Sequence, residues 1–325
     1  MTLSVHLLRK LDPAPMAQLR DELDSAVRLT VGTEPPERAD YEILVAGRPS
    51  REHLTESSDL RALIIPWAGL PPETRELMLD FPQIAVHNLH HNAVAAAEMA
   101  ITLLLAAAKR IVPADRALRE HDWTARYEMN SIVLLEGKTA LILGQGAVGR
   151  RVTNLCRGLG MRAIGIRRHA SQDGKVEVYP PEALHDLLPR ADALVICLPL
   201  TPETEGLIGK RELALLPSQA VLVNVGRGPI VKEEALYHAL RDGNLYAAGL
   251  DVWYQYPEGE DDRSRTSPSA LSFENLDNVV LSPHRAGAGG TGEIESRRVS
   301  ELAELLNAAA RQGEIPNRVD LEAGY

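Results

Sequence analysis

Arg227 lies between two glycines in VLVNVGRGPIV, Val221 to Val231, directly after a run of aliphatic residues that reads as a buried strand. His284 follows a second such run and a proline in NVVLSPHRAG, Asn278 to Gly287. In an open α/β sheet, ligands bind at such strand ends. A guanidinium fixed there can hold a carboxylate and polarise a neighbouring carbonyl. An imidazole beside it can give or take the proton of the alkoxide that forms. The pair is equipped for hydride chemistry on a 2-keto or 2-hydroxy acid.

Such chemistry needs a hydride carrier, and ALILGQGAVG, Ala140 to Gly149, has the spacing to bind one. Gly144, Gly146 and Gly149 form G-x-G-x-x-G between an apolar strand and a helical run, with Gln145, Ala147 and Val148 filling the turn. The first glycine permits the tight turn and the second lets the backbone approach a pyrophosphate. The third lets helix and strand pack closely, while free N–H groups at the helix start face the anion. The strand that follows ends in Arg167 and Arg168, with no carboxylate between Gly160 and Gln172. An arginine cannot accept the ribose hydroxyls of NAD, but it can pair with the 2′-phosphate of NADP. The expected cofactor is therefore NADP in preference to NAD. The alternative leaves both arginines solvated, with Asp173 reaching back to the ribose.

Positioning these groups requires parallel strands joined by helices. The first 90 residues alternate short apolar runs, such as Tyr41 to Ala46 and Leu60 to Ile65, with charged helical stretches such as Met16 to Ala26. Ala93 to Arg110 has no Gly or Pro and predicts one long, largely buried helix. A second βα series from Gly137 to about Pro283 predicts six strands: Ala140 to Leu143, Arg162 to Ile166, Ala193 to Leu198, Ala220 to Val225, Ala247 to Val252 and Val279 to Ser282. A glycine-rich hinge, Gly287 to Gly292, leads to a final helix, Glu293 to Arg311, expected to return to the first domain. The expected fold is α/β: a Rossmann dinucleotide-binding domain over 92–292 and a smaller, discontinuous flavodoxin-like substrate domain over 1–91 and 293–325. The acidic segment Pro257 to Ser269 reads as an exposed loop, or else as a flap or subunit contact.

The composition narrows the function classes. A net charge of −10 argues against a nucleic-acid partner, because phosphate binding needs clustered positive charge. The chain has no 18-residue apolar run and no signal-peptide pattern, so no membrane partner is expected and the expected compartment is the cytoplasm. Two cysteines, Cys156 and Cys197, sit in apolar surroundings and predict no disulfide framework. The histidines of HNLHHN, His87 to Asn92, lack helical i, i+4 spacing and a nearby acidic or thiol ligand, so no metal site is expected. His90 or His91 could instead line a cleft and touch substrate.

The order of GQGAVG, LPLTPETEGLIG (Leu198 to Gly209), NVGRGPIVKEEAL (Asn224 to Leu236), AGLDVW (Ala248 to Trp253) and SPHRAG (Ser282 to Gly287) resembles the D-isomer-specific 2-hydroxyacid dehydrogenases. HHNAVAAAEMA, His90 to Ala100, is similar to that family's interdomain segment, while the first 90 residues match less well. The resemblance implies that Arg227 orients the substrate and that His284 is the acid or base. It implies that the backbone of Ala68, Gly69 and Leu70 binds the substrate carboxylate. Leu198, Pro199, Val225, Gly226, Asp251 and Ala286 would line the nicotinamide side. It also implies a homodimer and a small 2-keto acid substrate, glyoxylate or hydroxypyruvate being the smallest.

One position departs from the family pattern. Most members carry a glutamate before the proline of D-V-x-x-x-E-P, where it pairs with the histidine. DVWYQYP, Asp251 to Pro257, places Tyr256 there. A neutral tyrosine can hydrogen-bond His284 but cannot hold an imidazolium by charge, so His284 is expected to protonate less readily. Glu258 or Glu260 reaching in is the alternative. Two other activities fit the departure: oxidation like that of formate dehydrogenase, suggested by Trp253 and the absent glutamate, and a nucleotide-sensing relative without turnover.

Overall fold

The computed structural model describes residues 2–127, 132–168, 176–287, 291–311 and 313–324. The chain divides into two compact units, Met1–Asn92 with Ala288–Tyr325, and Ala93–Gly287. Asp173 and residues 288–290 of the expected hinge lie outside the described residues.

The first unit is built on short aliphatic strands whose alternate residues face opposite layers. Its strands are β1 (Leu3–Leu7), β2 (Val27–Val31), β3 (Ile43–Val45), β4 (Ala62–Ile65) and β5 (Ala85–Asn88). They are parallel, in the order β2-β1-β3-β4-β5, which is the flavodoxin-like order. Ile43, Val45 and Ile64 pack on one side with Val299, Leu302 and Leu306 of the helix Gly292–Ala310. Leu44, Leu63 and Ile65 pack on the other with Met78 of the helix Pro72–Leu79. Covering both faces is what a parallel sheet requires.

The second unit is a seven-stranded parallel sheet. Its strands are β6 (Thr139–Leu143), β7 (Arg162–Ile166), β8 (Glu177–Tyr179), β9 (Ala193–Ile196), β10 (Val221–Asn224), β11 (Ala247–Leu250) and β12 (Val279–Leu281). The order β12-β11-β10-β9-β6-β7-β8 is that of a doubly wound dinucleotide-binding sheet with one added strand. Six of these are the expected strands. The seventh, β8, is a three-residue edge strand with an exposed Glu177 that pairs only with β7, too short and too polar to register as an apolar run.

The predicted long helix forms over Ala93–Ala108 and buries Ala97, Ala100, Leu103, Leu104 and Ala107 in the core of this unit. Its close seat on the sheet depends on Gly249 of β11, where a Cβ would stand 2.7 Å from the Leu103 Cβ. It stops short of the expected Arg110, whose backbone is left-handed (φ 51°) and starts a separate helix, Ile111–Arg119.

In the first unit His6 and His87 are buried and His91 is half-buried. Burial pulls all three below the ordinary imidazole value, His91 to about 4. The unfolded chain therefore binds more protons than the folded one as pH falls below about 6.5. Stability from these groups is complete above that pH and is lost on the way down toward the folded value. The urea midpoint should accordingly fall between pH 7.5 and pH 5 under constant salt; a midpoint that rises over this interval would contradict the burial of these rings.

Candidate functional site

The glycine turn follows β6. Gly144 is left-handed (φ +94°), and a Cβ there would stand 3.0 Å from the Cys197 carbonyl oxygen at the end of β9. Gly149 lies in the first turn of the helix Ala147–Gly158, where a Cβ would fall 1.7 Å from the Gly144 carbonyl oxygen. Packing demands both glycines. Gly146, the residue capping that helix, differs: a Cβ there would meet no atom within 4 Å. Nothing in the protein asks for glycine at that position, so a bare backbone facing open space fits the approach of a pyrophosphate. The side chain of Gln145 does not face the turn. It is buried, donates from Nε2 to Thr153 Oγ1 at 2.9 Å and packs over Gly165. Only its backbone belongs to the cradle.

Arg227 is presented by the loop after β10. Gly226 packs against the Leu198 carbonyl oxygen, 2.5 Å from where a Cβ would stand, and Gly228 against the Trp253 carbonyl oxygen, 2.2 Å from the equivalent point. The two glycines beside Arg227 therefore lock its backbone between the loops that follow β9 and β11. Asn224, buried at the end of β10, accepts from the Gly226 amide at 3.0 Å and donates from Nδ2 to the Arg227 carbonyl at 2.9 Å. The guanidinium, on an exposed residue, donates one hydrogen bond to the Gly226 carbonyl at 2.7 Å. Its other donors are available to an anion.

His284 sits in an unusual backbone conformation for a non-glycine residue, with φ 55°. The loop that carries it is wrapped around Asp251, which is fully buried at the end of β11. One Asp251 oxygen accepts from the Ser282 hydroxyl at 2.5 Å and the Arg285 amide at 2.7 Å, and the other from the Ala286 amide at 2.8 Å. Trp253 adds a second tie, donating from its indole N–H to the Ser282 carbonyl at 2.8 Å. These contacts surround His284 without touching its ring.

Tyr256 meets the His284 ring at a tilt, with ring centroids 5.5 Å apart and planes inclined by 56°. Its hydroxyl accepts the Trp253 amide at 3.0 Å. Phenol and imidazole meet through a ring contact, while the hydroxyl is drawn back into its own loop. Burial, followed by the positive charge of Arg227, holds the His284 pKa below its ordinary value, against a smaller opposing pull from Asp251. Burial also raises the Tyr256 phenol, so it is neutral at physiological pH. Glu258 and Glu260 are exposed; Glu258 lines a cavity with Gln255, Tyr256, Asp262 and Thr266, while Glu260 pairs with Arg263 at 2.8 Å.

Residues 101–286 match the family model described as D-isomer specific 2-hydroxyacid dehydrogenase, NAD binding domain. The chain belongs to this family. A glyoxylate reductase of Aeropyrum pernix is 41% identical over 234 residues, 70% of this chain and 67% of that protein. Another from Korarchaeum cryptofilum is 38% identical over 225 residues, 68% and 64% of the two chains. The matched part spans about two thirds of the length of these relatives. Among solved structures, a D-isomer specific 2-hydroxyacid dehydrogenase from Xanthobacter autotrophicus, in complex with NADPH and MES, is similar in fold over the whole of both chains, with a TM-score of 0.78 at 24% identity.

In this family member, Arg227, Asp251, Tyr256 and His284 come together at the C-terminal edge of the second sheet, with Leu198, Val225, Gly226 and Ala286 on the same edge. Asp251, expected to line the nicotinamide side, has its carboxylate engaged by the His284 loop. Ala286 is buried, with its amide engaged by that carboxylate. Arg167 and Arg168 follow β7; both are exposed, and Arg168 lies 3.5 Å from Glu203. Ala68, Gly69 and Leu70 follow β4 in the first unit, where the Ala68 carbonyl accepts from Asn88 Nδ2 at 2.7 Å.

Of the histidine cluster, His87 donates from Nδ1 to the Pro316 carbonyl at 2.8 Å, and no group of three or more metal-ligating side chains occurs among the described residues. Burial pushes the Cys197 thiol up to about 12, so it is the thiol rather than the thiolate at neutral pH. Asn224 and Ser282 lay inside the quoted motifs but were given no task by sequence reasoning. The signal for Asn224 was a polar residue ending an otherwise apolar strand.

Replacing Asp251 with Ala strands the Ser282 hydroxyl and the two amides in a buried space, and should cost about 2–4 kcal/mol of stability. Urea unfolding of Asp251→Ala measures it, and a loss under about 0.5 kcal/mol would mean that the carboxylate does not hold the loop.

Proposed function

We propose that this chain reduces small 2-keto acids to 2-hydroxy acids of the D configuration with a nicotinamide cofactor, NADPH in preference to NADH. The observation that carries the reading is the joint placement of Arg227 and His284 after β10 and β12, the two strands that flank β11, close enough that the charge of Arg227 depresses the pKa of His284. The glyoxylate reductases among its relatives support a small 2-keto acid as substrate. Arg167 and Arg168 are proposed to bind the 2′-phosphate, and the backbone of Ala68, Gly69 and Leu70 to contact the substrate carboxylate. The cytoplasm is the proposed compartment, in keeping with two unpaired cysteines.

The cofactor supplies the hydride when bound against the Gly144–Gly149 turn. Arg227 holds the carboxylate and draws electron density from the carbonyl oxygen. His284, protonated, hydrogen-bonds the same oxygen and gives up its proton as the alkoxide forms. The reverse oxidation needs His284 neutral. Burial and Arg227 favour the neutral ring, and Tyr256 provides no charge against them, so reduction weakens as pH rises through a value below about 6.5.

Activity followed at 340 nm, with NADPH and NADH against a panel of 2-keto acids and NAD⁺ against formate, tests the assignment. Arg227→Ala and His284→Ala should each lower kcat/KM by about 10²- to 10⁴-fold. In Tyr256→Glu, the alkaline limb of the reduction profile should move up by about 1–2 pH units, because a carboxylate beside the ring favours the imidazolium. A wild-type profile that stays flat from pH 5 to well above neutrality would remove His284 from the proton transfer. Cofactor binding with no turnover on any substrate would indicate a sensor.

We also propose a homodimer. The helix Ile111–Arg119 buries none of its residues, and Ile111, Val112, Leu118, Trp123, Tyr127, Ile132 and Leu134 are all exposed. Monomers rarely leave more than a few hundred Å² of contiguous apolar surface bare, and a stable dimer covers about 800 Å² per partner. Ile111→Glu combined with Trp123→Glu should halve the mass seen by sedimentation equilibrium; a wild-type chain that is already monomeric at micromolar concentration would dismiss the dimer.

A further inference from the structure

Along the C-terminal edge of the second sheet, β6 is flanked by β9 on one side and β7 on the other. The glycine turn continues from β6, Arg168 lies two residues beyond β7 and Glu203 lies seven residues beyond β9. Arg168 Nη2 and Glu203 Oε2 are nevertheless 3.5 Å apart, so the pair reaches across the end of β6, over the strand that carries the phosphate cradle. The carboxylate is held where it is. Thr201, buried in the same loop, donates from Oγ1 to Glu203 Oε2 at 2.9 Å, and its own amide donates to Thr204 Oγ1 at 2.8 Å.

A carboxylate, absent from the segment that ends β7, is therefore supplied from the other flank. Its consequences differ for the two cofactors. A 2′-phosphate carries close to two negative charges and must draw Arg168 away from Glu203, leaving the anchored carboxylate nearby as a repelling charge. An unphosphorylated ribose brings no such charge, and its hydroxyls can donate to a carboxylate. An exposed ion pair is weak and opens readily, so the repulsion is the larger effect.

We propose that Glu203 sets cofactor selectivity by competing with the 2′-phosphate for Arg168, lowering the preference for NADPH over NADH. This rests on the reading that Arg168 binds the 2′-phosphate. Dissociation constants for NADPH and NADH, taken by isothermal titration calorimetry without substrate, test it in wild type, Glu203→Gln, Arg168→Gln and the double variant.

Glu203→Gln should tighten NADPH about fivefold while leaving NADH within about twofold. The gain should shrink at about 0.5 M salt and vanish in the Arg168→Gln background. If Arg168→Gln lowers the NADPH preference while Glu203→Gln leaves it unchanged, the phosphate reading stands and the competition is overturned. If Arg168→Gln does not alter the preference at all, both are overturned.

Discussion

The buried carboxylate of Asp251 is the interaction on which the rest of the site depends. An ionised group with no exposure is tolerable only when donors replace the water it has lost. Here the Ser282 hydroxyl and the Arg285 and Ala286 amides do so, and all three belong to the loop that carries His284. The left-handed backbone at His284 is the sort of strain, of order 1–3 kcal/mol, that persists only when its surroundings over-determine it. The carboxylate provides that constraint. It fixes the loop that carries the imidazole without bonding the ring, and burial followed by Arg227 dominates the ring's proton affinity, with Asp251 a smaller opposing pull.

Around that point the loops are joined by backbone close approaches rather than by long side chains. Gly144 rests on Cys197, Gly226 on Leu198, and Gly228 on Trp253, so each loop at the edge of the sheet leans on a neighbour. Side chains have rotamers to choose from, whereas backbone contacts at glycine have almost none. A guanidinium and an imidazole are thereby held close although both can be positive, a juxtaposition that would otherwise relax. With Tyr256 in place of a carboxylate, this repulsion is only partly offset by Asp251, and it biases the site toward a neutral imidazole.

Much of this was legible in the residues. Short apolar runs marked most of the strands, a long stretch without Gly or Pro marked the long helix, and the glycine spacing marked the candidate cradle. A cation and an imidazole after two buried strands marked the candidate site. These features read locally, because each depends on a residue type and its immediate neighbours. The edge strand β8 escaped because three half-polar residues carry too little periodicity.

What tertiary structure alone decided was partnership. The sequence by itself determined the parallel α/β architecture, the glycine turn after β6 and the candidacy of Arg227 and His284, since strand burial and glycine geometry are written in short segments. Only folding could turn the Gln145 side chain inward, assign Asp251 to the His284 loop, draw the Tyr256 hydroxyl to the Trp253 amide and bring Glu203 to Arg168. Glu203 and Arg168 are 35 positions apart and Asp251 and Arg285 are 34. Such pairings follow from which strands lie side by side, and strand order is a property of the packed sheet.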